Sequence, residues 1–151
     1  MSAKDTRTFF LDTNVFVAAV KRPEKETAAL SLILVLLEAE DLELVGNDLL
    51  AEEMVRYAEE FRSETASWLI GALLKKTRFV QVERTFRAAC RRYITTPDPA
   101  DLLHAATCLQ ESAVLISNDK HFSRLAEAGI VEVWTVARAV VFFNASLRRR
   151  E

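Results

Sequence analysis

Short β-branched and aromatic runs alternate along the chain with longer stretches in which apolar residues recur every three or four positions. That alternation is the signature of an α/β fold with a parallel sheet. The short runs predict strands at 8–11, 42–45, 79–82, 114–117 and 131–134. The longer stretches predict helices over about 24–39, 48–61, 64–75, 84–93, 99–111, 120–128 and 136–149. Pro23 stands where proline suits the opening of the first helix, and Gly129 follows the sixth as a C-terminal cap. Arg148, Arg149 and Arg150 close the last helix, where cations complement the macrodipole. Three glycines, three prolines and no linker-like or repetitive stretch leave residues 1–151 as one expected domain.

Several acids stand out against this pattern. Asp12 follows the apolar run Phe9-Phe10-Leu11, and Asp119 follows Val114-Leu115-Ile116-Ser117-Asn118. Two strands thus deliver carboxylates to the edge where open parallel sheets bind ligands. Turn initiation or helix capping would serve as a plainer role for either one. Glu53 sits among Leu50, Met54, Tyr57 and Phe61 at helical spacing, so it faces inward, whereas Glu52 shares a face with Arg56 and Glu59. A carboxylate aimed inward needs a cation or hydrogen-bond donors, and an arginine partner would meet that need without any catalysis. In Asp98-Pro99-Ala100-Asp101, Asp98 fits an N-cap and Pro99 the first helical position. Asp101 falls at the third position, on a face with the small residues Ala105 and Cys108.

Convergence of Asp12, Glu53, Asp101 and Asp119 would be costly. Two like charges about 5 Å apart repel by roughly 3 kcal/mol at an effective dielectric near 20. Several such pairs rival the stability of a whole domain, about 5–15 kcal/mol. Either some of the acids hold protons or a divalent cation sits among them. An all-oxygen donor set suits Mg²⁺ or Mn²⁺, ions that can activate water and stabilise charge on a phosphodiester.

Four segments in this order resemble a PIN-domain nuclease over essentially the whole chain: Leu11-Asp12-Thr13-Asn14-Val15, then Leu49-Leu50-Ala51-Glu52-Glu53-Met54, then Asp98-Pro99-Ala100-Asp101-Leu102-Leu103-His104, then Leu115-Ile116-Ser117-Asn118-Asp119-Lys120-His121-Phe122. The resemblance implies a three-layer α/β/α sandwich around a mainly parallel sheet of about five strands. It carries the metal-binding acids onto Asp12, Glu53, Asp101 and Asp119, with Glu52 as the competitor of Glu53. Asn14 and Ser117 match polar positions that support the acids by hydrogen bonding, and Asp98 is an extra, second-rank ligand candidate. The implied activity is Mg²⁺- or Mn²⁺-dependent hydrolysis of RNA phosphodiesters, leaving a 5′-phosphate and a 3′-hydroxyl. No side chain need act as the nucleophile, so neither His104 nor His121 is required. A short chain of this kind is most similar to VapC-type toxin ribonucleases, which implies a small antitoxin partner and a homodimer. The alternatives are an RNA-processing or RNA-binding PIN protein that is not a toxin, and a structure-specific DNA nuclease. A haloacid-dehalogenase phosphatase would need a second aspartate where Asn14 stands.

Composition refines this picture in two places. Cys90 and Cys108 are too few and too far apart for a disulfide framework or zinc site, and the longest apolar run, 32–37, is far too short for a membrane span. With no secretory signal at the start, a cytoplasmic location without membrane contact is expected. The formal charge of −2, from 20 Lys plus Arg against 22 Asp plus Glu, disfavours a uniformly basic RNA-coating protein. Setting aside the four assigned acids leaves 20 against 18, and arginines outnumber lysines 14 to 6. Arginine is the better bidentate phosphate partner, so a locally charged nuclease stays open.

Overall fold

The computed structural model describes residues 7–22 and 24–150, with side chains described as far as Ala145. Pro23 and the side chains of Arg148, Arg149 and Arg150 therefore lie outside the described residues. Five strands form one sheet: β1 (Arg7–Leu11), β2 (Leu42–Gly46), β3 (Thr77–Phe79), β4 (Val114–Ile116) and β5 (Val133–Trp134). Their order is β3-β2-β1-β4-β5, and every pairing is parallel. The helices are α1 (Thr13–Val20), α2 (Ala28–Glu38), α3 (Asp48–Phe61), α4 (Glu64–Lys76), α5 (Arg84–Arg91), α6 (Pro99–Glu111), α7 (Ser123–Glu127) and α8 (Val136–Arg150), with a 3₁₀ turn at Lys120–Phe122.

Contacts join α1, α2, α3, α4 and α8 on one side, α5 packs on α6 and α6 on the 3₁₀ turn on the other, and α3 meets α6 across the two. This is the expected α/β/α sandwich. The sheet is covered on both faces, which is why Phe9, Phe10 and Leu11 of central β1 are all buried instead of alternating. Phe9, Trp134, Phe142 and Phe143 pack ring against ring beneath α8. Burial of each such side chain contributes about 1.5–3 kcal/mol. Among the described residues no helix is long and apolar enough to cross a membrane.

Two expectations need correction. The helix expected over 24–39 is shorter, running from Ala28 to Glu38 as α2, and a helix the pattern does not predict, α1, precedes it at Thr13–Val20. Residues 13–20 form a helix packed on α2 and α3, while α2 begins only at Ala28, where the Thr27 hydroxyl accepts the Leu30 N–H at 3.1 Å. The strand expected at 79–82 ends at Phe79 and begins at Thr77, directly after α4. Pairing decides its position: Leu44 lies opposite Thr77 and Gly46 opposite Phe79, and the partly buried Val80 and Val82 pack on the core outside the ladder. A Cβ at Gly46 would stand 2.9 Å from Leu50 and 3.0 Å from Thr77, so glycine lets β2, β3 and α3 close together. At the end of α7, Gly129 takes φ +71° and the Ile130 N–H reaches Leu125 O at 3.2 Å, a Schellman closure.

Candidate metal centre

Strands β1 and β4 are neighbours, and beyond them the chain leaves toward opposite edges of the sheet, α1 and α2 leading to β2 and α7 leading to β5. Ligands bind at such a switch point. Asp12 leaves β1 there with its N–H on Ile116 O at 3.1 Å, which sets it beside Ser117 at the end of β4. The Ser117 hydroxyl donates to Asp12 Oδ2 at 2.7 Å and accepts the Asp119 N–H at 3.0 Å, so one side chain joins the two strand-end acids. Asp12 is 5% exposed. Burial pushes its carboxyl pKa up from the ordinary value, the Ser117 hydroxyl opposes this, and the charges of Asp119 and Asp101 add to the rise.

Asp119 accepts from Asn14 Nδ2 at 3.2 Å through one oxygen and from the His121 N–H at 3.0 Å through the other. Asp101 enters from the first turn of α6, buried, and accepts from the Thr96 hydroxyl at 2.6 Å. His121 Nδ1 stands 3.1 Å from Asp101 Oδ2 and 3.1 Å from Asp119 Oδ1. Ligating atoms of these three residues all lie within 4.8 Å of one another, the one such group among the described residues.

Glu53 is held differently. It is half-buried on α3, while Glu52, Arg56 and Glu59 are exposed. Its Oε1 meets His104 Nε2 at 2.9 Å, and no arginine among the described residues takes that place. Behind the imidazole stands Asn47, the N-cap of α3, whose Oδ1 accepts the Leu50 N–H at 2.8 Å. That bond fixes the amide, so Nδ2 donates to Thr107 Oγ1 at 2.9 Å and to His104 Nδ1 at 3.1 Å. The Thr107 hydroxyl in turn donates to Leu103 O at 2.7 Å. With Nδ1 accepting, the network assigns the Nε2–H tautomer to His104, which donates to Glu53. The imidazole also packs on Phe10, with ring centroids 4.9 Å apart.

The structure thus brings Asp101 and Asp119 together around His121 and ties Asp12 to Asp119 through Ser117. Glu53 stands outside that group, and His104, one turn along α6 from Asp101, links it to the same helix face. Asp98 is exposed and its Oδ1 accepts the Ala100 N–H at 2.9 Å as the cap of α6. The donors fit a hard divalent cation: three carboxylates at a switch point, with Asp12 and Asp101 buried, flanked by a fourth. The sequence does not single out Asn47 or Thr96, and neither histidine is required on its reading. Asn47-Asp48 ahead of a periodic run does mark a cap, but nothing in the order of residues shows that its amide reaches α6.

The model of the PIN domain family matches residues 9–128. Two solved structures align with nearly their whole length. VapBC2 from Rickettsia felis, bound to a DNA fragment from their promoter, shares 15% identity over 85% of this chain and 98% of that chain, with a TM-score of 0.60. VapBC-1 from nontypeable Haemophilus influenzae shares 19% identity over 86% of this chain and 98% of that chain, with a TM-score of 0.58. At these identities the likeness speaks for the fold. The comparison with curated proteins gives no match.

Proposed function

The chain belongs to the PIN domain family, and on that premise we propose that it is a single-domain endoribonuclease that hydrolyses RNA phosphodiesters at a divalent-cation site. The observation that carries this reading is the meeting of Asp12, Asp101 and Asp119 at the sheet switch point, with Glu53 preset beside them. Asp12, Asp101, Asp119 and Glu53 would hold Mg²⁺ or Mn²⁺. Bound there, the cation supplies Lewis acidity toward a phosphodiester oxygen and toward an attacking water.

The protein's own groups prepare the site. The Ser117 hydroxyl holds Asp12 by donating to its Oδ2, and Asn14 orients Asp119. His104 holds Glu53 from its buried side. Burial of Asp12 and repulsion from its neighbours make the empty arrangement costly and favour uptake of positive charge. The likeness to two VapBC structures supports the further reading that the nuclease is a toxin paired with a small antitoxin.

Tag-free protein incubated with structured and single-stranded RNA and Mg²⁺ or Mn²⁺ should cleave, and chelation should stop cleavage. Asp12→Asn should lower the rate by more than about 100-fold, the upper range for losing a mere outer partner of a metal site. Unchanged cleavage by folded Asp12→Asn would overturn the assignment. Cleavage of DNA and not RNA would overturn the substrate class alone.

A further inference from the structure

We propose that His121 is a ligand of the same cation, giving the centre one nitrogen donor among its carboxylates. This rests on the metal-dependent reading above and adds a residue that the acidic set does not contain. Two neighbouring ligands on an octahedral ion with bonds of about 2.1 Å stand about 3.0 Å apart. His121 Nδ1 is 3.1 Å from an oxygen of Asp101 and 3.1 Å from an oxygen of Asp119, the separation of ligands that share one ion.

The ring is placed by the backbone. His121 lies in the 3₁₀ turn Lys120–Phe122, capped by Asp119, whose Oδ1 accepts the His121 N–H at 3.0 Å. Phe122, fully buried, anchors the far end of that turn in the core. The imidazole itself is 50% exposed, so its nitrogen faces the acids while its other edge is open to solvent. His104 makes the opposite case. Both of its nitrogens are engaged, Nδ1 by Asn47 and Nε2 by Glu53, and it is 2% exposed. Of the chain's two histidines, one is a buried positioning residue and the other carries a nitrogen at ligand distance from two acids.

An imidazole donor suits first-row transition ions better than Mg²⁺, which takes oxygen ligands and keeps its waters. The centre should therefore discriminate between Mn²⁺ and Mg²⁺ more than an all-oxygen site would. Pulsed electron paramagnetic resonance of the tag-free protein loaded with Mn²⁺ should show ¹⁴N modulation from a coordinated imidazole, replaced by ¹⁵N modulation when histidine is isotopically labelled. His121→Ala should abolish the modulation and weaken Mn²⁺ binding by roughly tenfold or more, at least the cost of an outer-sphere partner. Its affinity for Mg²⁺, read by displacement of Mn²⁺, should change less. Bound Mn²⁺ without nitrogen modulation in the labelled, unsubstituted protein would overturn the ligand assignment and leave the carboxylate site standing. Modulation that persists in His121→Ala would move the donor to His104 and overturn it equally. Failure of Mn²⁺ to bind at all would overturn both this proposal and the metal-dependent reading.

Discussion

Glu53 and Asp119 are held by opposite means. The Glu53 half of the site is internal: its carboxylate meets a buried imidazole, which meets a buried amide, which caps a helix and bonds a second buried hydroxyl. Each group in that chain is held by named partners, so Glu53 is oriented before any ligand arrives. The Asp119 half is built from a 3₁₀ turn, a half-exposed imidazole and the Asn14 amide, with solvent on one side. Its groups can exchange partners at little cost. Preset charge on the inside and adaptable ligands on the outside suit a site that must hold an ion yet admit a polymer. Asp12 stands between the two, tied to the open half by Ser117 and buried like the closed one.

The two halves should respond differently to loss of one side chain. Asn47→Ala removes the cap of α3, worth about 0.5–2 kcal/mol, and leaves the buried His104 Nδ1 without its donor, a further cost of about 1–3 kcal/mol. Urea unfolding should show a total loss near 3 kcal/mol. His121→Ala, in the open half, should stay within about 0.5 kcal/mol of the parent protein. Equal costs at Asn47 and His121 would break the comparison.

The next effect is smaller and depends on pH. The folded-state pKa of Asp12 is raised, chiefly by burial, so the native state binds its proton more tightly than the unfolded chain does. Ionised Asp12 therefore costs stability at pH above its raised value. That cost is recovered as pH falls through the raised value toward the ordinary carboxylate range. In chelator, Asp12→Asn should be more stable than the parent at neutral pH, and the two should converge on acidification. Adding Mn²⁺ should raise the melting temperature of the parent and leave the variant unmoved. A variant less stable than the parent in chelator at neutral pH would show that Asp12 serves the fold itself and not the ion.

What the sequence reveals divides along the same line. Strand-end acids are legible because they break an apolar run: Asp12 after Leu11 and Asp119 after Ile116 both lie where expected at the sheet edge. The inward face of Glu53 follows from helical period, and α3 and α6 run over the expected residues. Partners across elements are not legible. The Glu53–His104 contact spans 51 positions and the Asn47–Thr107 bond 60, and they exist because α3 packs on α6. β3 starts two residues before the expected position for a related reason, since a three-residue edge strand is positioned by its pairing with β2 and not by its own pattern. The helix at 13–20 was hidden because its β-branched and aromatic residues have no helical preference, and burial against α2 overrides that.

The smallest effect separates two acids within one helical turn. Asp98 and Asp101 are three residues apart, yet Asp98 is exposed and spends its Oδ1 on the Ala100 N–H, while Asp101 is buried and shares the His121 nitrogen with Asp119. Serine caps a helix as well as aspartate does, so Asp98→Ser should change stability by less than about 0.5 kcal/mol, whereas Asp98→Ala should cost about 1 kcal/mol. Neither should alter Mn²⁺ affinity if the carboxylate acts as a cap. A fall in Mn²⁺ affinity in Asp98→Ser, with stability unchanged, would place a fifth carboxylate in the open half. That half would then owe its hold on the ion to added charge, and the adaptable arrangement around Asp119 would be less important than it looks from the distances alone.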